Sequence, residues 1–194
     1  MGKIYCVMGK SSSGKDTVYK KLKEQYKEFR LIVPYTTRPI REGEKDGVEY
    51  YFVDPEQFRA MKEDGKVIES RSYNTKCGIW TYFTADDGQI DLSAADYLLI
   101  GTLVSYQALR EYFGEEAIVP VYLEVEDGLR LARALERERR QEKPKYAEMC
   151  RRFLADASDF SEDKLREAGI TRRFINDDMD TVLAEISAYI RQSS

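Results

Sequence analysis

Hydrophobic and polar positions along the chain follow two rhythms. Residues 3–8, KIYCVM, form a short apolar run that meets a glycine directly, the pattern of a buried strand. Residues 16–29, DTVYKKLKEQYKEF, then set Val18, Leu22, Tyr26 and Phe29 at helical spacing with charges between them. RLIVPY (30–35) reads as a second strand. From about residue 34 to 95 the texture changes to short aromatic runs, EYYFV, VIESRSY and IWTYF, broken by turn residues. One helix, PEQFRAMKED, interrupts them and stops at Gly65.

The alternation of strand and helix then returns. DYLLIG (96–101) predicts a strand, 104–114 a helix and 118–125 a strand. A long charged helix over 127–142 gives out before Pro144. A helix over 147–159, a strand over 172–177 and a helix over 179–192 complete the chain. Strands alternating with helices predict an α/β fold, a five-stranded parallel sheet with helices on both faces. The expected organisation is a single domain over 1–194. Its core comprises 1–33 and 96–194, a small mostly-β insert occupies about 34–95, and a helical lid lies at about 138–152.

Composition narrows the chemistry. The chain of 194 residues contains no histidine, which removes Ser-His-Asp triads and His-ligated metal sites together. Its three cysteines, Cys6, Cys77 and Cys150, are isolated, so neither a zinc site nor a disulfide framework is suggested, and a reduced, cytoplasmic setting is expected. A formal net charge of −4 argues against nucleic acid held by bulk charge, so an anion site must be local. No apolar run approaches the length of a membrane span and no signal-peptide pattern is present. Monomer and homodimer both remain open.

Such a local anion site stands at residues 9–17, GKSSSGKDT, in the frame GxxxxGK[ST] of a phosphate-binding loop between strand and helix. Gly9 and Gly14 permit positive φ and close backbone approach. The N–H groups of Lys10, Ser11, Ser12 and Ser13 can then curl around phosphate oxygens, with the helix N-terminus behind them. Lys15 supplies a mobile charge for the β- and γ-phosphates of ATP, and Thr17 a hydroxyl for the α-phosphate. Asp16 stands where the frame has a hydroxyl. A carboxylate there suits the positive end of the helix dipole, and as a hard oxygen donor it can hold Mg²⁺ directly or through water.

A second anion site is suggested by TTRPIREGEKDGVEYYF (36–52), where Arg38 and Arg41 project from one irregular turn and can clamp an acceptor phosphate bidentately. Tyr50 adds a phenolic donor. Between 130 and 152 lies a surplus of basic residues, which suits either a solvated helical face or a mobile lid.

The chain resembles the guanylate kinases. Their TTR-x-x-R-x-G-E-x-x-G-x-x-Y-x-F segment is matched by Thr36, Thr37, Arg38, Arg41, Gly43, Glu44, Gly47, Tyr50 and Phe52, their strand with I-E by Ile68-Glu69, and their N-D-D by Asn176-Asp177-Asp178. The resemblance implies a nucleoside monophosphate kinase using Mg²⁺ and ATP, with GMP or dGMP as acceptor. It implies that Arg38, Arg41 and Tyr50 hold the acceptor phosphate and that Glu69 faces the base. Asn176 would lie near the adenine, and lid arginines, Arg152 with Arg139 or Arg140, would cover the transferring phosphoryl group. Thr81 is a further candidate for a base contact.

The chain also departs from that family. Pro34 replaces a serine before the TTR segment, the Tyr-Gly-Ser/Thr after the glutamate is matched only imperfectly by Cys77-Gly78 or Trp80-Thr81, and LLIGTLVS (98–105) stands where the family has D-x-D-x-Q-G. Ribose 1,5-bisphosphate phosphokinases resemble the guanylate kinases and share the Gly-Lys-Asp loop ending, so a sugar phosphate is an alternative acceptor. A non-catalytic guanylate-kinase-like binding module is a third reading, opposed by the presence of Lys15, Arg38, Arg41 and Arg152.

Overall fold

A computed structural model describes residues 1–75 and 78–193. Five strands, β1 (Ile4–Gly9), β2 (Arg30–Leu31), β7 (Tyr97–Ile100), β8 (Ile118–Glu124) and β9 (Phe174–Ile175), form one sheet in the order β2-β7-β1-β8-β9. Every pairing in it is parallel. All six residues of β1 are buried, as a central strand covered on both faces requires. Ile4, Cys6 and Met8 pack with Leu103, Tyr106 and Leu109 of helix α3 (Leu103–Phe113) and with Leu165 of α6 (Glu162–Glu167). Tyr5 and Val7 pack on the opposite face against Val18 and Leu22 of α1 (Lys15–Gln25) and Val182, Ile186 and Ile190 of α7 (Met179–Ser193).

A second sheet has the order β4-β3-β6-β5, from β3 (Tyr35–Thr36), β4 (Tyr51–Phe52), β5 (Val67–Thr75) and β6 (Gly78–Ala85). The strand expected over 30–35 is therefore two strands. Ile32 still bonds to Leu98 of the large sheet, whereas the Pro34 carbonyl accepts from Tyr51 N–H in the small one. Between the sheets' strands, α2 (Pro55–Glu63) is started by Asp54, whose carboxylate accepts from Glu56 and Gln57 N–H while Gln57 reaches back. The charged helix expected over 127–142 is α4 (Asp127–Arg139), followed by α5 (Tyr146–Asp159). Helix α6 was not expected; it begins beyond Ser161 and fills the face of α3.

Candidate active site

The β1–α1 loop is held in shape from three sides. Gly14, at φ +84°, turns the chain into α1, and among the described residues no side chain caps that helix, which leaves N–H groups of its first turn for an anion. A Cβ at Gly14 would lie 2.3 Å from Asn176 Nδ2, and one at Gly9 2.6 Å from the Leu123 carbonyl oxygen, so both positions demand glycine. Asn176, beyond β9, donates its amide to the Ser13 carbonyl at 2.7 Å. From the other side, Asp156 of α5 accepts from Ser11 N–H at 2.7 Å, and Arg130 of α4 donates to the Ser11 carbonyl at 2.9 Å. Arg130 is buried to 1% exposure between Asp127, Asp156 and the Phe153 ring. Its hydrogen bond also holds the Asp127 carboxyl below the usual carboxylate range.

Ser12 lies at φ +64°, and among the described residues the buried hydroxyls of Ser12 and Ser13 have no partner. Buried hydroxyls normally find one, so these two are donors left over by a loop whose Ser11 and Ser13 backbone groups are held from outside by Asp156, Arg130 and Asn176. Lys15 reaches Asp16 at 3.1 Å, and Lys10 reaches Asp127 at 3.5 Å.

A cavity of about 400 Å³ opens on this loop, lined by Ser12, Gly14, Asp16, Thr17, Arg133, Arg137, Asn176, Asp177 and Met179. Arg133 and Arg137 were not among the expected site residues. They lie one turn apart on α4, and Arg133 also donates to the Asn176 carbonyl at 3.2 Å. Arg139 ends α4 and Arg140 follows it; both are exposed, and Arg140 pairs with Glu136. Arg152, exposed on α5, pairs with Glu148, which Arg151 and Arg152 together hold down at about 2. Of the arginines expected to form a lid, Arg140 and Arg152 are thus engaged with surface partners and Arg139 is exposed, while the two lining the cavity stand earlier on α4. Asp16, exposed at the loop's helix end and lining this cavity, is the carboxylate there whose oxygens suit a small hard cation such as Mg²⁺.

The second constellation spans the small sheet. Arg38 is 3% exposed and makes a bidentate pair with Glu44 at 2.7 and 2.6 Å. That pair raises the arginine's pKa and lowers Glu44 to about 2. The guanidinium stacks over Tyr50 at 5.1 Å and Phe52 at 5.3 Å, and burial pushes the Tyr50 phenol up. Arg41 is exposed, its N–H donating to Glu44.

Glu69 is buried, against the ordinary habit of strand glutamates, and accepts from Thr84 at 2.9 Å and Arg71 at 3.1 Å. Thr81 stands elsewhere. Beyond a bulge between Val67 and Glu69, the register sets Glu69 opposite Thr84 and Ser72 opposite Thr81. Thr81 therefore lies on the other face, its hydroxyl bonded to Ser72 at 2.8 Å. Of the alternative candidates, Cys77 lies outside the described residues and Gly78 begins β6.

A parallel sheet with a glycine-rich loop and helix N-terminus at the end of its central strand defines a P-loop α/β kinase fold. The solved guanylate kinase of Anaplasma phagocytophilum shares it, with a TM-score of 0.62 and 24% identity, covering 98% of this chain and 85% of that one. The sequence profile of the family described as Guanylate kinase matches residues 1–79. The guanylate kinase of Symbiobacterium thermophilum is 33% identical over 196 aligned positions, covering 97% of this chain and 84% of that protein. The chain belongs to the guanylate kinase family. With the guanylate kinase of Legionella pneumophila (strain Lens) it is 47% identical over 68 residues, a match that spans only 32% of that relative's length.

Proposed function

We propose that the protein is an ATP-dependent nucleoside monophosphate kinase that transfers the γ-phosphoryl group of Mg-ATP to GMP or dGMP, giving GDP or dGDP. The observation that carries this reading is Glu69, a buried carboxylate on the small sheet, whose strands β3 and β4 are flanked by Arg38 and Tyr50. Guanine offers two donors, N1–H and the 2-amino group, to such a carboxylate, whereas adenine offers an acceptor at N1. In this reading ATP lies on the loop of residues 9–17, with Asn176 and Asp177 beside the base end. Arg38, Arg41 and Tyr50 hold the acceptor's phosphate, and residues 34–95 serve as its binding insert.

The acceptor phosphate is already an anionic nucleophile, so no general base is needed and the lack of histidine costs nothing. One acceptor oxygen bonds to the γ-phosphorus as the bond to the β-bridging oxygen breaks, and ADP leaves. Charge at the transferring group is met by Lys15 and, from α4, Arg133 and Arg137. Mg²⁺, held with Asp16 among its ligands, would neutralise phosphate charge. Arg152 with Arg139 or Arg140 becomes available if the lid around 138–152 closes. The setting proposed is cytoplasmic, in keeping with free thiols at Cys6 and Cys150; among the described residues no helix is long and apolar enough to cross a membrane.

Titration calorimetry with GMP and AMP in the absence of ATP tests the acceptor site by itself. Binding of GMP at least tenfold tighter than AMP is expected; equal or absent binding contradicts the reading. A ribose 1,5-bisphosphate acceptor is the second reading. Two features favour it: Asp16, and the Gly101-Thr102 that follows β7 with no carboxylate.

A further inference from the structure

We infer that Arg71 reads the O6 oxygen of the acceptor base, completing with Glu69 a three-point match to guanine; this rests on the guanine-nucleotide reading above. Arg71 stands two residues beyond Glu69 on β5, on the same face. It is directly opposite Tyr82, whose ring meets Tyr50 at 5.6 Å, and Tyr50 in turn lies under Arg38. One continuous face of the small sheet thus carries the proposed phosphate clamp and the Glu69–Arg71 pair.

Two contacts fix the guanidinium. Arg71 Nε donates to Glu69 Oε2 at 3.1 Å, and Nη1 donates to Thr102 Oγ1 at 2.7 Å. Thr102 is itself anchored, since the same hydroxyl accepts from Ser105 N–H as the cap of α3. A planar guanidinium held at two nitrogens has its third nitrogen aimed in a set direction. No described residue is bonded to Nη2, and the side chain remains 21% exposed while that of Glu69 is 3% exposed.

The lone pairs settle what can dock. Each carboxylate oxygen of Glu69 has two acceptor sites. Thr84 takes one on Oε1 and Arg71 one on Oε2, which among the described residues leaves one on each oxygen. The pair therefore presents two acceptors beside one charged donor. Guanine's edge runs donor, donor, acceptor through the 2-amino group, N1–H and O6, and satisfies all three. Uracil and xanthine set a second carbonyl against the carboxylate, and adenine sets an unprotonated nitrogen there. A second sugar phosphate would find Arg71 but would sit against the charge of Glu69.

The test is calorimetric binding of GMP and 6-thio-GMP at pH 7 to the full chain, as wild type, Arg71→Ala and Arg71→Lys, with circular dichroism confirming the fold. 6-Thio-GMP keeps N1–H and the 2-amino group and replaces only O6 by sulfur, a weak acceptor. The wild type is expected to bind GMP about tenfold tighter than 6-thio-GMP, and Arg71→Ala to weaken GMP binding by about ten- to a hundredfold while erasing that preference. Arg71→Lys, which keeps a cation beside Glu69 and guards against misfolding of the alanine variant, is expected to retain part of the preference. Equal weakening of both ligands by Arg71→Ala would mean that Arg71 merely holds Glu69, and overturns the inference. So does an unchanged preference. A wild type that binds neither ligand overturns the substrate reading itself, and this inference with it.

Discussion

The side-chain amide of Asn176 donates to the carbonyl oxygen of Ser13 at 2.7 Å, and so ties the last strand of the large sheet to the loop that begins the site. Asn176 is 3% exposed, and its own N–H is held by the Glu124 carbonyl. Replacing it by alanine leaves a buried carbonyl without its donor, a loss of about 1–3 kcal/mol. Urea denaturation of Asn176→Ala is expected to show that loss, and ATP titration a drop in affinity of about tenfold or more. An unchanged ATP affinity would separate Asn176 from the loop's binding shape.

Glu44 gives the proposed acceptor site an acid limit. Arg38 holds Glu44 at about 2 in the folded protein, below the value near 4.3 of a free glutamate. For a depressed acid, the stabilisation is complete above the unfolded value and is lost as pH falls through the folded one. The Arg38–Glu44 pair therefore stabilises the fold fully above about pH 4.5 and fades toward pH 2. Glu44→Gln is expected to lower the melting temperature at pH 7 and to flatten the wild type's decline between those limits. Glu148, also held at about 2, titrates over the same window in both proteins, so the difference between the two curves isolates Glu44.

Arg133 and Arg137 line the loop's cavity, whereas Arg140 is engaged with Glu136 at the surface. Removal of a charge that meets the transferring phosphoryl group typically costs about a hundredfold or more in rate. Steady-state kinetics are expected to show a fall in kcat/KM for Arg137→Ala of that order, exceeding the fall for Arg140→Ala. The opposite ranking would mean that the lid closes far enough to exchange these roles.

Lys15 and Asp16 are adjacent but are assigned different tasks. Lys15→Ala is expected to lose nearly all turnover, while Asp16→Ser, which restores a hydroxyl to the loop, keeps a substantial part. The Asp16→Ser protein should need a different Mg²⁺ concentration for half-maximal ATP binding. Equal losses in both variants would contradict a metal-holding role confined to position 16.

The parts legible in the sequence were those that depend on neighbours along the chain. Gly9, Gly14 and the flanking apolar runs announce the loop because strand, tight turn and helix are all local. The segment from Thr36 to Phe52 announced Arg38, although its buried pairing with Glu44 was not read. What escaped depends on tertiary geometry. Arg133 and Arg137 belong to the same charged run as Arg139 and Arg140, and only the way α4 packs decides which of them faces the cavity. Thr81 and Thr84 are both hydroxyls on one strand; the bulge at Val67 to Glu69 decides that Thr84 shares the glutamate's face. Arg71 was not singled out in the sequence; its place beside Glu69 is seen only in the 3.1 Å bond between the two side chains. The chain between Ile32 and Tyr35 read as one strand because hydropathy does not register a change of sheet.

The central claim, a guanine nucleotide as phosphoryl acceptor, is tested most directly by ADP release from Mg-ATP with GMP, dGMP, AMP, UMP, CMP and ribose 1,5-bisphosphate in parallel. Turnover with GMP and dGMP, and little with the other four, is the predicted result. Turnover with ribose 1,5-bisphosphate alone would contradict it, and would assign the Gly14-Lys15-Asp16 ending of the loop to a kinase of sugar phosphates.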